Sequence, residues 1–74
     1  MKDKIDVRQV FYERLKDLMQ EKGLNNSQLA EKTGIPRTTI NGWTLKQNKP
    51  QADVLCVLAD FFKVSVDYLL GRED

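Results

Sequence analysis

The sequence predicts a compact all-α domain of five helices, and three observations carry that expectation. Apolar residues recur with the 3.6-residue period of a helix buried on one face, most clearly at Val7, Phe11, Leu15, Leu18 and Met19. Glycine or proline stands where each periodic run begins or stops, at Gly23, Gly34, Pro36, Pro50 and Gly71. The stretches between runs are short, with no internal repeat, low-complexity segment or linker. At 74 residues the chain makes one domain. A domain of this size buries only about 60% of its unfolded surface, so its stability margin is a few kcal/mol.

Taken in order, residues 1–6 are charged and aperiodic and are expected to form a flexible arm. Helix 1 should span Val7 to Lys22, with Lys22 complementing the helix dipole in the last turn and Gly23 as the stop. Asn25 is a good N-cap, and Gln28 three residues on completes a capping box. Helix 2 then runs from Asn26 to Thr33 and buries Leu29 and Ala30. Gly34 supplies the left-handed residue of a sharp turn, and Ile35 plugs that turn. Pro36 holds Ile35 extended and opens helix 3, expected over Pro36 to Thr44. At 100° per residue, Ile40 and Trp43 share the buried side of helix 3. Thr38, Asn41, Gly42 and Leu45 lie opposite, with Arg37 at the edge of that face.

A basic loop from Lys46 to Pro50 leads to helix 4, Ala52 to Phe62, which has Asp53 in its first turn. Val54, Leu55, Leu58, Ala59 and Phe62 give it a wide apolar face, extended by Val57 and Phe61. So much apolar circumference predicts the central helix of the bundle. Ser65 caps helix 5, Val66 to Leu70, and Gly71 ends the ordered part. Phe61, Tyr68 and Leu70 are either remaining core or part of a dimer surface. Residues 7–71 are thus read as the folded domain and 72–74 as a tail.

Composition narrows the function. Hydrophobic residues at 41% and charged residues at 31% describe a folded globular domain. With no histidine and one cysteine, a zinc site, a Ser-His-Asp triad and a Cys-His pair are excluded, and the scattered glycines form no phosphate loop. Neither enzyme activity, metal, cofactor nor small-molecule ligand is expected. The longest apolar run, Val54 to Ala59, is six residues, too short to span a membrane, and the charged N-terminus offers no signal peptide. Cys56 lies inside that run and reads as a small buried hydrophobe in a reducing cytoplasm. The net charge is only +1, but residues 22–50 carry +4 while residues 51–74 carry −3. The positive charge gathers on helices 2 and 3 and the loop after them, as a nucleic-acid footprint requires, although a solvated surface segment could look the same.

A helix-turn-helix needs a small residue in its first helix for close crossing, a glycine in the turn, and an aliphatic residue in the second helix that locks the angle. Ala30, Gly34 and Ile40 stand at those offsets, with Leu29, Ile35 and Trp43 completing the core of the corner.

Beyond the corner, the chain resembles the phage-repressor and Cro-like (xenobiotic-response-element type) helix-turn-helix family. The residues that carry the resemblance are Arg14, Leu15 and Leu18, then Gly23-Leu24, Leu29-Ala30, Gly34-Ile35, Thr39-Ile40, Trp43 and Pro50. They continue through Leu55, Leu58-Ala59 and Val64-Ser65-Val66-Asp67 to Leu69-Leu70-Gly71. The resemblance implies a lambda-repressor-like domain that regulates transcription, most often as a repressor, by binding a double-stranded DNA operator as a homodimer; the helix 5 region, with Phe61, Tyr68 and Leu70, is one candidate for the dimer contact, and the setting expected is cytoplasmic. It implies base reading by Arg37, Thr38 and Asn41, and phosphate contacts by Asn26, Thr39, Lys46, Asn48 and Lys49. The chemistry agrees: arginine grips guanine O6 and N7, asparagine grips adenine N6 and N7, and a threonine methyl rests on a thymine methyl. Gly42 reads either as tolerated helix weakness or as a place where bulk would hold the helix off the groove. An antitoxin-like or anti-repressor interaction module on the same fold is the alternative function.

Three departures stand out. Met19 and Thr44 replace an arginine–glutamate pair common in the family, which suggests neutral packing between helices 1 and 3. Pro36 stands where serine or threonine is usual, leaving helix 3 without a side-chain cap. Lys46 stands where glycine is usual, so the exit from helix 3 is expected to be shaped differently. The chain could be a whole small regulator or the DNA-binding half of a longer one.

Overall fold

The computed structural model describes residues 6–45 and 47–72, and among them every regular element is helical. The helices are α1 (Val7–Lys22), α2 (Asn26–Thr33), α3 (Arg37–Thr44), α4 (Ala52–Phe62) and α5 (Val66–Leu69). Their ends are set by local chemistry. Asp6 accepts from the backbone N–H groups of Arg8 and Gln9, so it is the N-cap of α1 rather than part of a free arm. The rest of the expected arm, residues 1–5, and residues 73–74 of the tail lie outside the described residues. Arg72 is tied back, its N–H donating to the Asp67 carbonyl at 2.8 Å.

Helices α1 and α4 stop in the same way. The Leu24 N–H reaches the Met19 carbonyl at 2.9 Å, and the Val64 N–H reaches the Ala59 carbonyl at 3.0 Å. Both closures need a left-handed residue just before the donor. In α1 it is Gly23; in α4 it is Lys63 at φ 61°, a conformation that costs a residue with a Cβ roughly 1–2 kcal/mol.

Packing closes a ring: α1 against α3 and α5, α2 against α3 and α4, and α4 against α5. Phe11, Leu15, Leu29, Ile40, Trp43, Leu58 and Leu69 fill the centre almost without exposure. Phe11 meets Trp43 edge-on, with ring centroids 5.0 Å apart. Arg14 joins α1 to α5 by donating to the Tyr68 carbonyl at 3.3 Å and lying 4.4 Å over the Tyr68 ring. Phe61, Tyr68 and Leu70 are half-buried against this core.

Because the ring gives α4 only two principal neighbours, it is not the central helix its composition suggests. Val57 is 40% exposed, and Cys56 is exposed rather than buried. Apolar width on the α4 surface therefore exceeds what its neighbours cover.

Candidate nucleic-acid interface

The corner is built from the α2 side outward. Asn25 accepts from the Gln28 N–H at 2.8 Å while the Gln28 side chain accepts from the Asn25 N–H at 2.9 Å, so both bonds of the capping box form. At the other end Gly34 takes φ 79°, where a Cβ would be strained, and the chain turns sharply. Thr33 helps to fix this turn: its hydroxyl donates to the Leu29 carbonyl at 2.7 Å and accepts from the Ile35 N–H at 3.3 Å. Leu29, Ile35, Ile40 and Trp43 are buried and Ala30 is half-buried, so the side chains expected to lock the corner do meet in the core. Pro36 is the N-cap of α3 rather than its first residue, and it offers no side-chain bond.

With Ile40 and Trp43 turned inward, Arg37, Thr38 and Asn41 are exposed together on the other face of α3. They are not free-standing. Arg37 Nη1 donates to Ser27 Oγ at 3.1 Å. Asn26, half-buried at the start of α2, donates from Nδ2 to Asn41 Oδ1 at 3.0 Å and to Thr44 Oγ1 at 3.3 Å. The first turn of α2 thus anchors two of the three outward-facing side chains of α3. Ser27 and Thr44 carry no functional signal as isolated residues; only the crossing of the two helices gives them partners.

The remaining polar residues divide. Thr39, Asn48 and Lys49 line one groove of about 600 Å³ between α3 and the start of α4, with Gln47 and Asp53 beside them. Asn26 lies apart, against Asn41 and Thr44. Lys46, and with it the altered helix exit expected there, lies outside the described residues. Gly42 does not face outward. It is buried beneath the returning loop, where the Gln47 N–H donates to its carbonyl at 2.9 Å. A Cβ on Gly42 would run into the Asn48 amide, so the glycine makes room for this loop. The Met19–Thr44 exchange is also not neutral packing on both sides. Met19 is buried, but Thr44 is exposed and hydrogen-bonded.

Two helices packed about a glycine turn, the second with a polar outward face, define a helix-turn-helix domain of the kind that serves DNA-binding regulators rather than enzymes. The chain belongs to the phage-repressor and Cro-like helix-turn-helix family: a helix-turn-helix family model matches residues 15–69. It is 40% identical over 65 residues to the uncharacterized HTH-type transcriptional regulator YobD of Bacillus subtilis (strain 168), covering 88% of this chain and 58% of that protein. It is 36% identical over 64 residues to the HTH-type transcriptional activator BcrR of Enterococcus faecalis, covering 86% of this chain and 31% of BcrR. To the HTH-type transcriptional regulator ImmR of Bacillus subtilis (strain 168) it is 33% identical over 61 residues, covering 82% and 48%. The chain therefore spans less than two thirds of each of these relatives. No solved structure matches it significantly.

Proposed function

We propose that this domain binds double-stranded DNA sequence-specifically with α3 in the major groove, as the DNA-reading part of a cytoplasmic transcriptional repressor. The observation that carries the reading is the exposed trio Arg37, Thr38 and Asn41 on a helix whose opposite side is locked into the core by Ile40 and Trp43. The trio reads base edges, while Thr39, Asn48 and Lys49 along their groove, with Lys46, hold phosphates; Asn26 would meet a phosphate through its backbone N–H at the start of α2, since both hydrogens of its amide go to Asn41 and Thr44. The +4 charge of residues 22–50 supplies the sequence-independent attraction. A homodimer formed through the α5 region places two such helices on a palindromic operator. Repression is the reading offered; the name of BcrR attaches activation to that relative.

A second reading, an interaction module of antitoxin or anti-repressor type, is favoured by the −3 charge of residues 51–74. Selection from random duplex DNA, followed by a salt titration of the winning sequence, separates the two. The expected result is a two-fold symmetric motif with half-sites one helical turn, about 34 Å, apart or a multiple of that, bound more weakly as salt rises. Weak binding blind to sequence would favour the interaction module. No salt-sensitive binding to any duplex would remove the DNA reading altogether.

A further inference from the structure

A helix lying in the major groove, which is about 12 Å wide, has a phosphate backbone along each of its two sides. On α3 one side is the groove toward the start of α4, to which Thr39 contributes. The two charges that line it, Lys49 and Asp53, are opposite in sign. At about 100° per residue, Asn41 and Thr44 lie roughly 140–160° round the helix from Thr39. That second side meets Asn26, which bonds to both of them. Asn26 also lines another groove, of about 360 Å³, whose other wall is an outward stripe of α1. The two grooves thus flank α3 on opposite sides, as the two backbones of a duplex would.

The α1 stripe consists of Tyr12, Lys16 and Gln20, each four residues from the next and so on one face of the helix. Lys16 is exposed and Tyr12 half-buried. Among the described residues, neither the Lys16 ammonium nor the Tyr12 hydroxyl has a hydrogen-bond or ion-pair partner. The acidic neighbours Glu13, Asp17 and Glu21 lie about 100° further round and do not line the groove. It therefore carries one positive charge and no carboxylate. We propose that Lys16 and Tyr12, with Gln20, form a second phosphate-binding site on α1. It holds the strand on the opposite side of α3 from the one held by Thr39, Asn48 and Lys49. The lysine supplies charge, and the tyrosine hydroxyl and glutamine amide donate to phosphate oxygens. With no carboxylate beside it, the Lys16 contact is the stronger of the two. The proposal rests on the reading of α3 as the helix in the major groove.

The test measures Kd against salt for the 74-residue chain and its variants, each first checked for a cooperative melt. The probes are the duplex that the wild type selects from random DNA and a scrambled duplex of the same length. Lys16→Ala should weaken both by the same factor and reduce the slope of log K against log salt by about 0.9, the share of one phosphate. Lys49→Ala should reduce it less, because Asp53 lines the same groove. Lys22→Ala is the control: it removes the same charge from the last turn of α1, at an exposed residue outside the proposed site, and should leave the slope nearly unchanged. Tyr12→Phe keeps the ring, loses only the hydroxyl, and should weaken both duplexes by a smaller factor than Lys16→Ala.

Replacing the phosphates of the selected duplex one at a time by neutral methylphosphonates then locates the contact. The linkage whose replacement weakens the wild type but not Lys16→Ala is the one that Lys16 holds. It should lie across the major groove, on the other strand, from the linkage to which Lys49→Ala becomes indifferent. An unchanged slope in Lys16→Ala overturns the proposal, as does an equal change in Lys22→Ala or the finding of both linkages on one strand. A wild type that still selects a motif in those cases keeps the reading of α3. A wild type with no salt-sensitive binding to any duplex removes both.

Discussion

Helices α2 and α3 have equal lengths, eight residues each, yet they are held in place by different means. α2 has a complete capping box at one end and a left-handed glycine at the other, so its ends are secured by bonds within a few residues. α3 begins at a proline with no side-chain cap and ends at Leu45, which is 64% exposed. An isolated helix of this length is not stable in water. α3 persists because Ile40 and Trp43 are each only 1% exposed, and because Asn26 and Ser27 reach across from α2. The contrast teaches how a short helix can offer one face to a partner: it is held from behind, by the core and by its neighbour.

The largest test of that contrast is Trp43→Ala. Removing a buried aromatic of this kind costs about 3–5 kcal/mol, comparable with the whole margin of a domain this small. Loss of the cooperative transition in circular dichroism is expected; a melt within a few degrees of wild type would mean that the core does not hold α3. Asn25→Ala should cost about 1 kcal/mol in urea denaturation by removing one bond of the capping box. Pro36→Ser probes the same feature at α3. A new cap contributes about 1 kcal/mol, but the freed chain gains unfolded-state entropy worth about 0.4–1 kcal/mol, so the net gain should stay below about 0.5 kcal/mol. Smallest in stability is Ser27→Ala, expected within about 0.5 kcal/mol because the Arg37 bond is exposed. Its effect belongs in DNA selection, as a relaxed preference at the Arg37 position, and an unchanged preference there would show that Ser27 does not orient Arg37.

Most helix boundaries were legible because caps are short-range signals: Asn25 with Gln28, Gly23, Gly34 and Ser65 each act within their own turn. Asp6 obeyed the same rule but was obscured by the charged residues around it. Gly42 was misplaced for another reason. A helical wheel puts it with Thr38 and Asn41, and only the loop carrying Asn48 back over α3 buries it. Cys56 and Val57 fail in the opposite sense. Their apolar neighbours imply burial, but no principal neighbour of α4 covers that side.

What the sequence by itself determined is the set of helices, the small residue, glycine and aliphatic residue of the corner, and the outward placement of Arg37, Thr38 and Asn41. These follow from backbone caps and the 3.6-residue period, which operate within a turn or two of each residue. What only the tertiary structure decided is which polar groups meet: Arg37 with Ser27, Asn41 and Thr44 with Asn26, and Asn48 with the bare face of Gly42. The hydrogen-bonded pairs join residues 10 to 18 positions apart on two helices. No local propensity encodes such a meeting, because it depends on how closely Ala30, Gly34 and Ile40 let the two helices cross.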